Sequence, residues 1–63
     1  MLTDFVYEQM FKECVKRGVK DSLARNAAQK LVDDYKKGKF QGKFNKVFEQ
    51  RVKDTVKESK RHK

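Results

Sequence analysis

Six basic side chains in the C-terminal third of the sequence have types and spacing that suit binding to phosphates. Ammonium and guanidinium groups bind phosphate oxygens, and several of them on one side of a helix would follow a sugar–phosphate backbone. When each residue advances by about 100° around a helix axis, these side chains fall opposite the apolar residues of their segment. The set is Lys43, Lys46, Lys53, Lys57, Lys60 and Arg61.

An ordinary solvated helix face is the alternative explanation for these charges. Such a face usually mixes acids and bases, whereas here Glu49, Asp54 and Glu58 fall outside the middle of the basic side. Close like charges on a helix repel one another unless an anion compensates them. The segregation therefore favours a surface for an anionic polymer.

A second candidate set lies in the middle of the sequence and consists of Arg25, Asn26 and Gln29. Arginine, asparagine and glutamine are side chains that read base edges in the major groove of DNA. They are equally common on any helix surface. We expect this set to add base contacts to a complex whose phosphates are held by the lysines.

Catalytic and metal-binding chemistry has little support in the sequence. Cys14 falls among apolar residues, and the one histidine, His62, stands beside the C-terminal end. A cysteine nucleophile needs a nearby base, and neither the acids nor these two residues form a ligand set for a metal. We therefore expect no enzyme activity, no catalytic residue, no cofactor and no metal.

Net charge points to the same class of partner. The 63 residues contain 17 Lys and Arg against 9 Asp and Glu, a net charge of +8. Residues 1–21 sum to zero, residues 22–42 to +3 and residues 43–63 to +5. Such asymmetry in a basic chain indicates an anionic partner, most simply nucleic acid.

Apolar residues at spacings of three and four predict one all-α domain over residues 1–63, a compact three-helix bundle. The predicted helices are 3–17, 22–37 and 42–60, with a frayed basic tail at 61–63. Gly18 and Gly38 follow lysine- and arginine-rich segments, as expected where helices end. The predicted core is Phe5, Val6, Met10, Phe11, Leu23, Ala27, Leu31, Phe44, Phe48 and Val52.

The first two helices and their connection resemble a helix-turn-helix register. Cys14 is a small residue, Gly18 follows four positions later, and Val19 supplies the next apolar residue. Ala24 is smaller than the branched residue usual near the start of the second helix. The resemblance covers about twenty residues and would make the second helix the reading helix, with contacts near its N-terminus.

Arg51 lies inside the apolar side of the third helix, between Val47, Phe48 and Val52. We favour a boundary residue whose stem packs while its guanidinium reaches solvent. The alternative is an ion pair with Glu13 or Asp34 that fixes helix packing or a dimer contact.

A small core and a long apolar arc on the third helix predict a homodimer, with Val52 and Val56 meeting the second copy. The function predicted overall is that of a small DNA-binding accessory or regulatory protein of the phage or plasmid kind. DNA is favoured over RNA, and the alternative is an inhibitor or adaptor that docks on an acidic protein. The single cysteine, with no secretory signal pattern or apolar span, predicts a cytoplasmic, nucleoid or nuclear protein that is not secreted.

Overall fold

Three α-helices account for most of residues 2–40 and 42–61, which are the residues that this computed structural model describes. α1 is Leu2–Lys16, α2 is Asp21–Lys36 and α3 is Phe44–Arg61, and the described residues contain no strand. The predicted all-α, three-helix fold is confirmed. His62 and Lys63, two of the three residues of the predicted frayed tail, lie outside the described residues, while Arg61 is helical.

The helix ends differ from the predicted ones by one or two residues, for local reasons. Gly18, Gly38 and Gly42 all have positive φ, between 71° and 92°. The prediction that α3 begins at Gly42 was therefore wrong. The carbonyl of Lys43 accepts the first helical hydrogen bond, from the Val47 amide at 3.1 Å. α2 begins at Asp21 because Lys20 has extended backbone.

The core is built from small and medium side chains where the three helices meet. α1 contributes Val6, Met10 and Cys14, and α3 contributes Val52 together with the hydroxyl-bearing Thr55. The alanines of α2 lack bulk, so they let α1 approach closely. The buried residues from α2 and the connections are Val19, Ala24, Ala28, Leu31, Val32 and Phe40.

Several predicted core residues are less buried than expected. Phe5 is 56% exposed, so its assignment to the core was wrong. Val15, an apolar residue of the same helix outside the predicted core, is also exposed, at 39%. The reason is that α1 has partners on one side only, the side of Val6, Met10 and Cys14. Phe11, Leu23, Ala27, Phe44 and Phe48 are partly buried and pack against the core.

The predicted dimer residues are covered within one chain. Val52 is 1% exposed and Val56 is partly buried against the core. α3 contacts both α1 and α2, so the apolar arc that was expected to meet a second copy is used within the bundle. The assignment of the dimer contact to Val52 was therefore wrong, whereas Val56 is only partly buried and its role in a dimer contact stays a prediction.

An ion pair joins α2 to α3 at the edge of the core. The Arg51 guanidinium donates to the half-buried Asp34 carboxylate, and Lys39 Nζ lies 3.7 Å from the other carboxylate oxygen. The ion-pair alternative for Arg51 is therefore confirmed, with Asp34 as the partner. The hydrogen bond from Arg51, assisted by the charges of Arg51 and Lys39, lowers the pKa of Asp34 from its usual value.

Leu31→Ala should destabilise the protein by about 2–5 kcal/mol, because it removes a fully buried side chain and leaves a cavity. Leu2→Ala makes the same chemical change at a position 62% exposed and should leave stability nearly unchanged. Chemical denaturation measures both. Equal losses in the two variants would contradict the described core.

Asp34→Asn should lower the melting temperature at neutral pH, because it removes the charge that Arg51 and Lys39 face. A carboxyl whose pKa is lowered on folding stabilises the protein above its unfolded-state pKa and loses that contribution as pH falls through its folded-state pKa. The difference between Asp34→Asn and the parent should therefore shrink in acid. Asp33→Asn is the matched control, since Asp33 is exposed and its carboxylate accepts a hydrogen bond from the Gln29 amide at 3.1 Å, with no ion pair to any described residue. An Asp34→Asn difference that persists unchanged in strong acid would refute the ion-pair explanation.

Candidate nucleic-acid interface

α3 divides into a buried side and a solvated side along its whole length. Val52 and Thr55 are buried, and Phe44, Val47, Phe48 and Val56 pack against the core beside them. The Thr55 hydroxyl donates to the Arg51 carbonyl at 2.8 Å, which satisfies this buried polar group inside the helix. Because one side is fixed on α1 and α2, the opposite side faces solvent over about five turns.

Four lysines form the centre of that solvated side: Lys46, Lys53, Lys57 and Lys60, here called the lysine row. All four are exposed, and none makes an ion pair with any residue of 2–40 or 42–61. From Lys46 to Lys60 the helix rises by about 21 Å. The row is thus a line of lysines, none of them in an ion pair with a described residue, on a helix that α1 and α2 hold in place.

The two remaining members of the predicted basic set lie at the ends of α3. Lys43 is exposed and precedes a first turn that contains no acidic residue, so the positive end of the helix dipole adds to its charge. Arg61 borders a shallow depression with Asp54, Lys57 and Glu58. The helix dipole therefore adds to the positive charge at the N-terminal end of α3, while two acids lie beside the basic residues at its C-terminal end.

Arg25, Asn26 and Gln29 are exposed on α2, as expected, but they do not join the lysine row. Asn26 and Gln29 line an open groove between α2 and α3 of about 470 Å³, with Leu23 and Ala27 among its apolar lining. The Gln29 amide donates to Asp33 rather than pointing freely outward.

Acidic residues lie between the lysine row and the groove that Asn26 and Gln29 line. Asp54 and Glu58 border the groove on its α3 side. By helical periodicity they stand between the groove and the lysine row. Asp54 accepts a hydrogen bond from the Gln50 amide at 3.0 Å, which holds its carboxylate along this edge. An anionic polymer on the lysine row would have to pass these carboxylates to reach Asn26.

The turn between α1 and α2 contains a left-handed glycine followed by a buried valine, two features that the predicted helix-turn-helix register places there. Gly18 has φ +92° and Val19 is 4% exposed. The amide of Val19 bonds the Cys14 carbonyl at 3.0 Å, which closes the end of α1. The match is confined to the turn and does not by itself make α2 a reading helix.

Sequence reasoning gave little weight to the lysines around the α2–α3 connection. Lys36 and Lys37 were interpreted only as residues that end a helix. Both are exposed and carry unburied positive charge. Lys39 is held by Asp34 at 3.7 Å. The run Lys-Lys-Gly-Lys was the available signal for this separate group of exposed basic side chains.

Cys14 is fully buried, and this burial, together with the nearby Glu13 carboxylate, raises the pKa of its thiol. The thiol is therefore protonated and shielded at neutral pH. Among residues 2–40 and 42–61, no three His, Cys, Asp or Glu side chains lie close enough to hold a metal ion. His62, the other ligand considered, lies outside the described residues.

Comparisons with known proteins found no family model, curated protein or solved structure that matches this chain. Within the described part of the chain, no helix is both long and apolar enough to cross a bilayer.

Proposed function

We propose that this protein is a small DNA-binding accessory or regulatory factor, without enzyme activity, that holds the sugar–phosphate backbone of a duplex along α3. The observation that carries the proposal is the lysine row: four exposed lysines on one side of one helix, without ion pairs among the described residues. Binding a phosphate chain relieves the repulsion between these charges and releases condensed counterions from the DNA.

Lysines in such a row favour positioning over sequence reading. Each ammonium is a point charge on a flexible stem, which holds a phosphate without distinguishing one base from another. If all four lysines bind phosphates, the logarithm of the binding constant should fall with the logarithm of salt concentration with a slope of about −3.6. The proposal is therefore of binding with little sequence preference.

The aromatic residues favour duplex over single-stranded partners. Tyr35, Phe44 and Phe48 are partly buried and pack against the core and one another, with Phe44 and Phe48 ring centroids 5.8 Å apart. Proteins that bind single strands usually offer exposed rings on which bases stack. The exposed ring of Phe5 belongs to α1 and not to α3, the helix that carries the lysine row.

Replacing Lys46, Lys53 and Lys57 together by Gln should weaken duplex binding equally for all sequences. Each lost phosphate contact removes about 0.9 from the log–log salt slope, so the slope should flatten by up to about 2.7. Fluorescence anisotropy over a salt series measures both quantities. The fold should survive, because all three side chains are exposed.

The matched control replaces Lys16, Lys20 and Lys36 by Gln, which changes the net charge equally at exposed positions outside α3. This control variant should retain most of the log–log salt slope of duplex binding. Equal slopes for the parent and the α3 triple variant would exclude the lysine row as the phosphate surface. Arg25→Ala and Asn26→Ala, used in the same assay, should leave sequence preference unchanged, because both residues lie on α2 outside the lysine row and Asp54 and Glu58 stand between Asn26 and that row. A changed preference would instead make α2 a reading helix.

A second candidate function is an inhibitor or adaptor that docks on an acidic protein. The observation in its favour is the pair Leu2 and Phe5, which are 62% and 56% exposed on α1 and could serve as an apolar anchor. Folded protein that binds no nucleic acid at low salt would give this candidate first place. In either case we propose that the protein acts in the cytoplasm. We also propose that it forms a homodimer through the outer side of α1.

A further inference from the structure

The outer side of α1 carries a stripe of four exposed residues with helical spacing. Phe5, Glu8, Lys12 and Val15 follow one another at intervals of three, four and three, the spacing by which helices contact each other along a seam. They are here called the α1 stripe. Phe5 is 56% and Val15 39% exposed.

The α1 stripe lies opposite the side of α1 that holds the bundle together. Val6, Met10 and Cys14 form that buried side, half a turn around the helix from the stripe. α2 and α3 therefore leave the stripe uncovered. Leu2, 62% exposed, continues the apolar surface at its N-terminal end.

The order of residues in the stripe is complementary to itself when reversed. It reads apolar, acid, base, apolar from Phe5 to Val15. In an antiparallel pair of α1 helices centred on residue 10, Phe5 of one copy faces Val15 of the other. Glu8 of one copy then faces Lys12 of the other. A two-fold symmetric contact requires this kind of self-complementarity, because the same patch is used on both copies.

Charge also selects this side of the molecule for contact between copies. A chain of net charge +8 repels its own copies wherever basic surfaces meet. Residues 1–21, which contain all of α1, sum to zero, since they hold four bases and four acids. Glu8 and Lys12 are already within 4.0 Å of each other in one chain while remaining largely exposed, so both are free to exchange partners.

We propose that a second copy of this chain docks on the α1 stripe, giving a homodimer with antiparallel α1 helices. The contact uses none of the lysine row, so both copies keep their proposed phosphate surfaces. Two apolar side chains per copy make a small interface, below the size of about 1,200 Å² at which stable complexes begin, so the dimer is weak and reversible. The proposal does not depend on nucleic-acid binding.

Sedimentation equilibrium without nucleic acid, at protein concentrations up to about 1 mM, tests the proposal, because weak interfaces of this class are populated there. The parent should dimerise. Glu8→Lys places two lysines opposite each other, and Lys12→Glu places two glutamates opposite each other. Each variant should weaken dimerisation by about tenfold or more, since like charges across an interface are strongly unfavourable.

Mixing the two variants gives the most specific result. The stripe of Glu8→Lys is complementary to that of Lys12→Glu, so an equimolar mixture should form a heterodimer as tight as the parent dimer. Repulsion that depends on net charge alone predicts a different order of affinities. Glu8→Lys raises the net charge from +8 to +10, and Lys12→Glu lowers it from +8 to +6. On that basis alone, Lys12→Glu would dimerise more tightly than the parent.

Lys36→Glu is the matched control, since it lowers the net charge to +6 at an exposed position of α2. It should dimerise at least as well as the parent. Circular dichroism checks that each variant keeps its helices, as expected for exposed positions. A parent that is monomeric at about 1 mM, or variants that fail to associate when mixed, would overturn the proposal; an acidic protein would then be the better candidate partner for Leu2 and Phe5.

Discussion

The packing of α3 onto α1 and α2 is the interaction that decides which side of α3 stays in solvent. Val52 and Thr55 are the residues of α3 that become buried, and the Arg51–Asp34 ion pair fixes the helix beside α2. Once this side is covered, the position of every other α3 side chain follows from the helical repeat. The lysine row is solvated because it lies opposite Val52 and Thr55.

This packing also determines which surfaces remain for partners. α3 uses its apolar side within the chain, so the molecule is left with a basic side on α3 and a neutral, partly apolar side on α1. The first suits an anionic polymer and the second suits another copy of the chain. Because the two surfaces share no residue, the proposed phosphate binding and the proposed self-association do not compete for any side chain.

The sequence predicts the secondary structure well because helix periodicity and the glycine stops are local signals. It also places Val6, Met10, Leu31 and Val52 in the core. It fails for Phe5, because an apolar residue shows that a position could be buried but not which side of a helix has a partner. The choice of Asp34 over Glu13 as the partner of Arg51, and the separation of Asn26 from the lysines by Asp54 and Glu58, depend on how the helices pack. Local spacing does not encode that packing.

The central claim is that charge on the solvated side of α3 holds phosphates. The measurement that tests it most directly is the salt dependence of binding by the parent protein to duplex DNA, single-stranded DNA and RNA of equal length. We expect the tightest binding to duplex DNA, with a log–log slope of about −3.6 that is the same for unrelated sequences. Folded protein that binds none of the three at low salt, or binds one with no dependence on salt, would contradict the claim.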